Sequence, residues 1–349
     1  MTLYPIKFAP RFVEKIWGGD ALARVVGKPL PAGKAIGESW ELFDFPPGVV
    51  GADGRAPGDD PAGWTSARVV NGPLAGRTLH ELMISDAAAL LGDAEPVNTP
   101  AGPQFPLLIK FLDARQDLSV QVHPPESYAR LHPGAALKNE CWHVLDHDAG
   151  ARILIGTKAG TTRHDFAESI RRGECEDLIN AVEVKNGDTF YLPSGTVHAL
   201  GAGAVVAEVQ TPSDTTYRVF DFNRIEPSTG KPRALHVEQA LECIDFETDA
   251  TKNYVPAGDR DAIVTDAPQF TLRRRSAKAG TRVAVPAGEM RVVIVTEGGG
   301  RIGDGDGRTP IARGDTILVP ASVAGTIEAT QHLRWLEATV RNVAQVSKL

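Results

Sequence analysis

The sequence predicts a mostly β protein of two barrels, with helices confined to its N-terminal part. Three observations carry that expectation. Short apolar runs alternate with turns along most of the chain, which holds 35 glycines and 25 prolines. Helical periodicity is restricted to a few stretches. A segment also recurs, since Gly187-Asp188-Thr189-Phe190-Tyr191-Leu192-Pro193 returns as Gly314-Asp315-Thr316-Ile317-Leu318-Val319-Pro320. At roughly 150 residues per unit the 349 residues suit two compact bodies. A composition of 42% hydrophobic and 23% charged residues excludes global disorder, collagen and coiled coil.

Taken in order, helix is expected over residues 78–91 and 164–182, with a short turn of helix over 237–243, from apolar residues at three- and four-residue spacing. Strands are expected over 105–112, 118–123, 141–145, 152–155, 189–192 and 204–209. Gly201-Ala202-Gly203 lies between two of these strands and reads as a hairpin turn, not a dinucleotide-binding loop. The repeat extends upstream, where Glu140 precedes Arg152-Ile153 as Glu289 precedes Arg301-Ile302 at equal spacing. Downstream the first copy is longer by about the size of the 164–182 helices, which makes those an insertion in the first barrel. An N-terminal barrel unit over 1–250 and a C-terminal barrel over 258–349 follow, joined near 248–257, where strand patterning lapses. The acidic stretch 303–307 lacks the third oxygen ligand and terminal Glu of a calcium loop and reads as a hairpin tip.

The net charge of −7 opposes nonspecific binding to nucleic acid, and Arg273, Arg274 and Arg275 are too short a run to override it. No apolar run reaches membrane-spanning length and residues 1–10 lack a secretion-signal layout, so a cytoplasmic location without membrane partners is expected. Cys141, Cys175 and Cys243 are odd in number and widely spaced, which predicts reduced thiols.

One spacing is specific. Gly187-x5-Pro193-x-Gly195-x2-His198 reads as a strand, a Pro/Gly turn and a histidine delivered at the start of the next strand. It is similar to the second histidine motif of the cupins, small jelly-roll barrels that hold a metal inside the barrel. Gln121 and His123, two residues apart, share one strand face, and Glu140 supplies a carboxylate. Gln121, His123, Glu140 and His198 then form an N2O2 set suited to zinc, one ion per chain, with a position left open. The second barrel has Gly325 where His198 would align and is expected to bind no metal.

At these residues the chain resembles class I mannose-6-phosphate isomerases, in particular the short bacterial form. The resemblance starts at Lys7-Phe8-Ala9-Pro10 and Ile16-Trp17-Gly18-Gly19 and runs through Ile36-Gly37-Glu38-Ser39-Trp40-Glu41-Leu42 and Asn71-Gly72-Pro73-Leu74-Ala75-Gly76. It continues in Lys110-Phe111-Leu112-Asp113-Ala114, Leu118-Ser119-Val120-Gln121-Val122-His123-Pro124, Lys138-Asn139-Glu140-Cys141-Trp142 and Leu192-Pro193-Ser194-Gly195-Thr196-Val197-His198. It ends at Gln210-Thr211-Pro212-Ser213-Asp214-Thr215-Thr216-Tyr217-Arg218. The resemblance implies zinc on Gln121, His123, Glu140 and His198, and interconversion of mannose 6-phosphate and fructose 6-phosphate through an enediol. Long-form members carry His where this chain has Leu137, so a ring-opening role does not carry over.

The other roles are expectations of the same kind. Lys138, sharing parity with Glu140, is a candidate proton shuttle, and Glu208 is its rival. Arg218 suits a fixed charge opposite an anionic intermediate. Lys110 matches the family's phosphate-binding lysine, Ser119 offers a hydroxyl nearby, and Trp17 suits stacking on the sugar. The expected partner is a phosphorylated hexose, bound to a monomer or small homo-oligomer. An Fe(II) cupin oxygenase satisfies the two-histidine, one-carboxylate rule too, and a non-catalytic sugar-binding cupin with a structural metal is the third reading.

Overall fold

The computed structural model describes residues 2–46, 65–226, 229–305 and 308–340. Among these, four larger sheets stack face against face; the helices Ala21–Val26 and Leu79–Leu91 join the core shared by the seven- and six-stranded sheets, and the helices Glu126–Ala129, Arg163–Arg172 and Val237–Cys243 cover the outer face of the five-stranded sheet. A five-stranded sheet runs in the order Ile179–Glu183, Arg152–Thr157, His198–Leu200, Val120–Val122, Tyr217–Phe220. A seven-stranded sheet runs Tyr254–Val255, Thr189–Leu192, Glu140–His147, Ala204–Gln210, Leu108–Ala114, Ile36–Leu42, Arg11–Gly19. Their facing sides, through Leu112, Trp142, Phe190 and Val206 on one and Ile153, Ile155 and Leu200 on the other, bury the core of the first barrel.

The period-2 alternation of a strand decides what lies behind that core. Along Glu140–His147, Glu140, Trp142 and Val144 point inward, whereas Cys141 points outward. The outward residues Ile109, Phe111, Cys141 and Val209 pack against Phe270, Leu272, Val292, Ile294, Leu336 and Ala338 of a six-stranded sheet in the second barrel. That sheet's other face, with Val293, Val295, Ile317 and Trp335, closes on a four-stranded sheet carrying Ile302, Ile311 and Ile327. The second barrel therefore covers the back of the sheet from which Glu140 points inward. The chain start joins it, as Ile6–Lys7 pairs with Thr316–Val319 and Lys7 Nζ meets Asp315 Oδ2 at 2.7 Å.

Helices form where caps and apolar spacing coincide. Leu79–Leu91 begins at Thr78, whose hydroxyl accepts from Glu81 N–H at 3.2 Å while Glu81 Oε2 accepts from Thr78 N–H at 2.7 Å. Arg163–Arg172 starts on the same device between Thr162 and Asp165 and stops at Gly173, in the left-handed region at φ +72°. The expected helix over 164–182 is thus corrected. Past Gly173 the chain makes a short 3-10 turn, Cys175–Leu178, and then the strand Ile179–Glu183, which pairs with Arg152–Thr157. Apolar spacing over so few residues does not separate helix from paired strand, and the neighbouring strand decided it.

Gly201-Ala202-Gly203 is a turn, but not of a hairpin, because the strands it joins lie in different sheets. Antiparallel strands Gly299–Gly303 and Thr309–Ala312 flank the acidic stretch; its Asp306 and Gly307 lie outside the described residues. Residues 250–255, in the expected join, form a 3-10 turn and a strand pairing with Thr189 and Phe190. Cys141, Cys175 and Cys243 are free and buried. No described helix is long and apolar enough to cross a membrane.

Candidate active site

The site forms where the inner faces of the five- and seven-stranded sheets meet at one end of the first barrel. His198 opens its strand and pairs with Gln121, which places both on one sheet, and His123 follows just past the end of the strand Val120–Val122. Glu140, opposite Leu192 and Gln210, comes from the other. Donor atoms of His123, Glu140 and His198 all lie within 4.8 Å of one another, and this is the one such group among the described residues. His123 Nε2 stands 3.4 Å from Glu140 Oε2, and His198 Nε2 3.0 Å from Glu140 Oε1. All three residues are buried.

Whether these residues suit a cation follows from the protons. His123 Nδ1 donates to the Thr215 carbonyl at 2.9 Å and His198 Nδ1 to the Thr196 carbonyl at 2.8 Å, which turns each Nε2 toward the carboxylate. Burial, reinforced by Lys138, holds His123 down at about 3, so it stays neutral. Burial pushes the Glu140 carboxyl up, but the Lys138 ammonium, 2.8 Å from Oε2, outweighs it and holds it well below the usual carboxylate range. His123 Nε2 and Glu140 Oε1 have no hydrogen-bond partner. The His123 and Glu140 lone pairs converge without a proton between them and repel, and a divalent cation there satisfies both.

Gln121 flanks the group, its amide Nε2 3.3 Å from His198 Nε2 and its Oε1 3.3 Å from Ser119 Oγ. Turning the amide end for end aims Oε1 at the cluster and leaves Nε2 a hydroxyl to donate to. His143, of opposite parity, bonds Thr189 Oγ1 at 2.9 Å. The register of the second barrel refines the internal alignment. Leu192 pairs with Glu140, but its counterpart Val319 pairs with Arg291, not Glu289. A guanidinium thus replaces the carboxylate, and it is held by the carbonyls of Pro286 and Glu289.

A narrow pocket opens from the cluster, lined by Trp17, Lys110, Ser119, Gln121, Lys138, Glu140, Glu208 and Arg218. Every candidate residue named from the sequence is at the cluster or on this wall, although a larger cavity near Arg24 and Asp113 lies away from it. Charges alternate along the pocket. Lys138 Nζ is 2.8 Å from Glu140 Oε2 and 4.0 Å from Glu208 Oε1, Lys110 Nζ is 3.8 Å from Glu208 Oε1 and 3.9 Å from Glu38 Oε2, and Lys15 Nζ is 3.1 Å from Glu38 Oε1. Burial pushes Glu208 up to about 7 despite the two ammonium groups. Arg218, desolvated and beside Arg233, is pulled down to about 10; its Nε donates to Ser119 Oγ at 3.3 Å.

Sequence reasoning gave no role to Lys15, Glu38, Thr216 or Arg233, which also line the pocket. A signal existed for Glu38, since Glu38 and Trp40 share a strand face within a quoted motif, and Trp40 Nε1 donates to Glu38 Oε2 at 2.6 Å. Arg233 had none, being brought in by a loop whose Asp221 accepts from Arg233 Nε at 2.8 Å.

Two histidines and a carboxylate inside a two-sheet barrel define a metal-binding cupin. Residues 63–143 match the model of the phosphomannose isomerase type I catalytic domain. The chain is 36% identical over 327 residues to mannose-6-phosphate isomerase ManA of Bacillus subtilis (strain 168), covering 92% of this chain and 94% of that one. It is 34% identical over 324 residues to the mannose-6-phosphate isomerase of Streptococcus mutans, covering 91% and 93%. The crystal structure of the Bacillus subtilis mannose 6-phosphate isomerase matches with TM-score 0.77 at 30% identity, over 96% of this chain and 99% of that one. A zinc-bound mannose 6-phosphate isomerase shares the fold at TM-score 0.69 and 16% identity, over 97% and 99%. The chain belongs to the mannose-6-phosphate isomerase family and is an aldose–ketose isomerase of that type, not an oxygenase or a binding cupin.

Proposed function

We propose that the chain interconverts mannose 6-phosphate and fructose 6-phosphate through an enediol, with one zinc per chain held by Gln121, His123, Glu140 and His198. The observation that carries the metal is the pair of buried imidazoles whose Nδ1 atoms are held by backbone carbonyls and whose Nε2 atoms both face a buried, ionised carboxylate. The donor set is nitrogen and oxygen, which suits zinc, and a zinc-bound enzyme shares the fold. Bound there, zinc would supply Lewis-acid stabilisation of charge developing on the sugar oxygens.

The isomerisation moves a proton between C1 and C2. Glu208 has the environment for that transfer, being buried, pushed up to about 7 and on the pocket wall with no hydrogen-bond partner on Oε1. Lys138 is the rival, but its ammonium donates to Glu140 at 2.8 Å and is better suited to holding that carboxylate charged. Arg218 opposes negative charge on the enediolate. Lys110 keeps donors for a phosphate, because its carboxylate neighbours at 3.8 and 3.9 Å are beyond hydrogen-bond distance. Ser119 adds a hydroxyl, and Trp17 walls the sugar. The reading is tested by measuring bound metal alongside turnover of mannose 6-phosphate with and without chelator. Full turnover by metal-free protein would overturn it.

Lys110→Ala is expected to weaken capture of the phosphorylated sugar by about 10- to 100-fold, the loss of one charge-assisted hydrogen bond. Arg218→Ala is expected to lower kcat by roughly 100- to 1,000-fold. The ratio of kcat/KM for mannose 6-phosphate to that for mannose separates the two roles, and an unchanged ratio in Lys110→Ala removes it from the phosphate site.

The second barrel, on this reading, is catalytically silent. Asp315→Asn breaks the pair with Lys7 and is expected to cost about 1 kcal/mol of stability, while leaving metal content and steady-state constants unchanged. Lost turnover in a folded, metal-loaded Asp315 or Glu289 variant would bring that barrel into the site.

A further inference from the structure

The candidate ligands come from two sheets, so their spacing depends on what joins the sheets at this end of the barrel. The turn 193–196 leads into His198 and carries Gly195 in the left-handed region at φ +92°. Gly195 N–H donates to the His123 carbonyl at 2.9 Å, which ties the turn to His123. The tie to Glu140 runs through the residue before it. Asn139 Oδ1 accepts from Ser194 N–H at 2.8 Å, reaching across to the turn. Its backbone is clamped in turn, with N–H donating to Thr211 Oγ1 at 3.1 Å and the carbonyl accepting from Thr211 N–H at 3.0 Å. Asn139 is 4% exposed, so water does not compete for these bonds. At the far end of the turn, the Thr196 carbonyl takes the His198 Nδ1 proton.

We infer that Asn139 is a positioning residue that sets the spacing between Glu140 and His198, and through it the strength with which the site holds its cation. The inference rests on the metal reading above. Zinc tolerates ligand displacements of only about 0.2 Å, so a change in a short tie between two ligand-bearing segments is felt directly in affinity. The amide suits the task because it is short, it is planar, and its backbone is fixed on both sides by Thr211. A longer or unclamped side chain would reach Ser194 without fixing a distance. A proline at this position would forfeit the N–H that Thr211 accepts.

The test is zinc affinity of the full chain, measured by competition with a chromophoric chelator, beside the visible spectrum of the cobalt(II)-substituted protein. Asn139→Ala is expected to raise the zinc Kd by about 10- to 100-fold and to alter the cobalt(II) bands. Asn139→Asp keeps the acceptor oxygen and is expected to return the Kd to within about threefold of the parent. Asn180→Ala is the control for loosening in general. It deletes bonds from Asn180 Nδ2 to the carbonyls of Gly156 and Thr157, at 3.1 and 2.9 Å, and is expected to lower Tm while leaving the zinc Kd within about twofold. If Asn139→Ala fails to fold, Asn139→Ser, also too short to reach Ser194, replaces it. A folded Asn139 variant with parental Kd and cobalt(II) spectrum overturns the inference, as does equal weakening by Asn180→Ala. A parent chain that binds no zinc overturns the metal site itself, which is a separate and visible failure.

Discussion

His198→Ala is expected to empty the metal site and abolish turnover together. On the proposed reading the ring supplies a ligand nitrogen from the five-stranded sheet, and Glu140, 3.0 Å away, loses the partner that faces it across the barrel. A Lewis acid contributes several kcal/mol to stabilising the enediolate, so its loss corresponds to roughly a thousandfold or more in kcat/KM. The fold should survive, since the substitution removes a polar ring at one end of the barrel and leaves the apolar core of Trp142, Ile153, Ile155 and Leu200 in place. Metal analysis, circular dichroism and turnover on one preparation check all three statements. Wild-type turnover in metal-free His198→Ala would show that the cluster is structural.

Glu208→Gln is expected to lower kcat by about 100- to 10,000-fold while metal content stays at the parental level. The amide keeps the size of the side chain and removes its capacity to accept a proton. In the parent, Glu208, pushed up by burial to about 7, is expected to set the acid limb of the rate. As pH falls through about 7 the carboxylate takes up a proton and can no longer accept one from the sugar carbon, so kcat/KM declines toward acid and levels off toward alkali. The pH profile with mannose 6-phosphate checks the sign. An unaltered rate and acid limb in Glu208→Gln would transfer the proton-shuttling role to Lys138.

Glu208 also illustrates how the candidate site could be read in part. In sequence it is one polar residue in an apolar strand, for which an outward, solvated position is an ordinary reading. In the structure it pairs with Lys110 on one side and Trp142 on the other, in the middle of a seven-stranded sheet, and its side chain is buried. Burial, not sequence neighbours, moves its pKa. The second barrel shows the opposite error. Sequence spacing aligned Glu289 with Glu140, whereas strand register sets Arg291 there, because register follows backbone hydrogen bonds across strands and not distance along one chain.

What the sequence determined by itself was the kind of protein and the identity of the ligand candidates. A two-residue strand period places Gln121 and His123 on one face whatever the rest of the fold does, and the Pro/Gly turn delivers His198 at a fixed offset from its strand. Local backbone geometry suffices for such statements. The strand Ile179–Glu183 in place of a helix, the convergence of Lys15 and Arg233 on the pocket, and the packing of the second barrel behind Glu140 were decided by tertiary structure. Each depends on contacts between residues far apart in sequence, where burial and hydrogen bonding across sheets outweigh local preference, and no pattern along the chain encodes them.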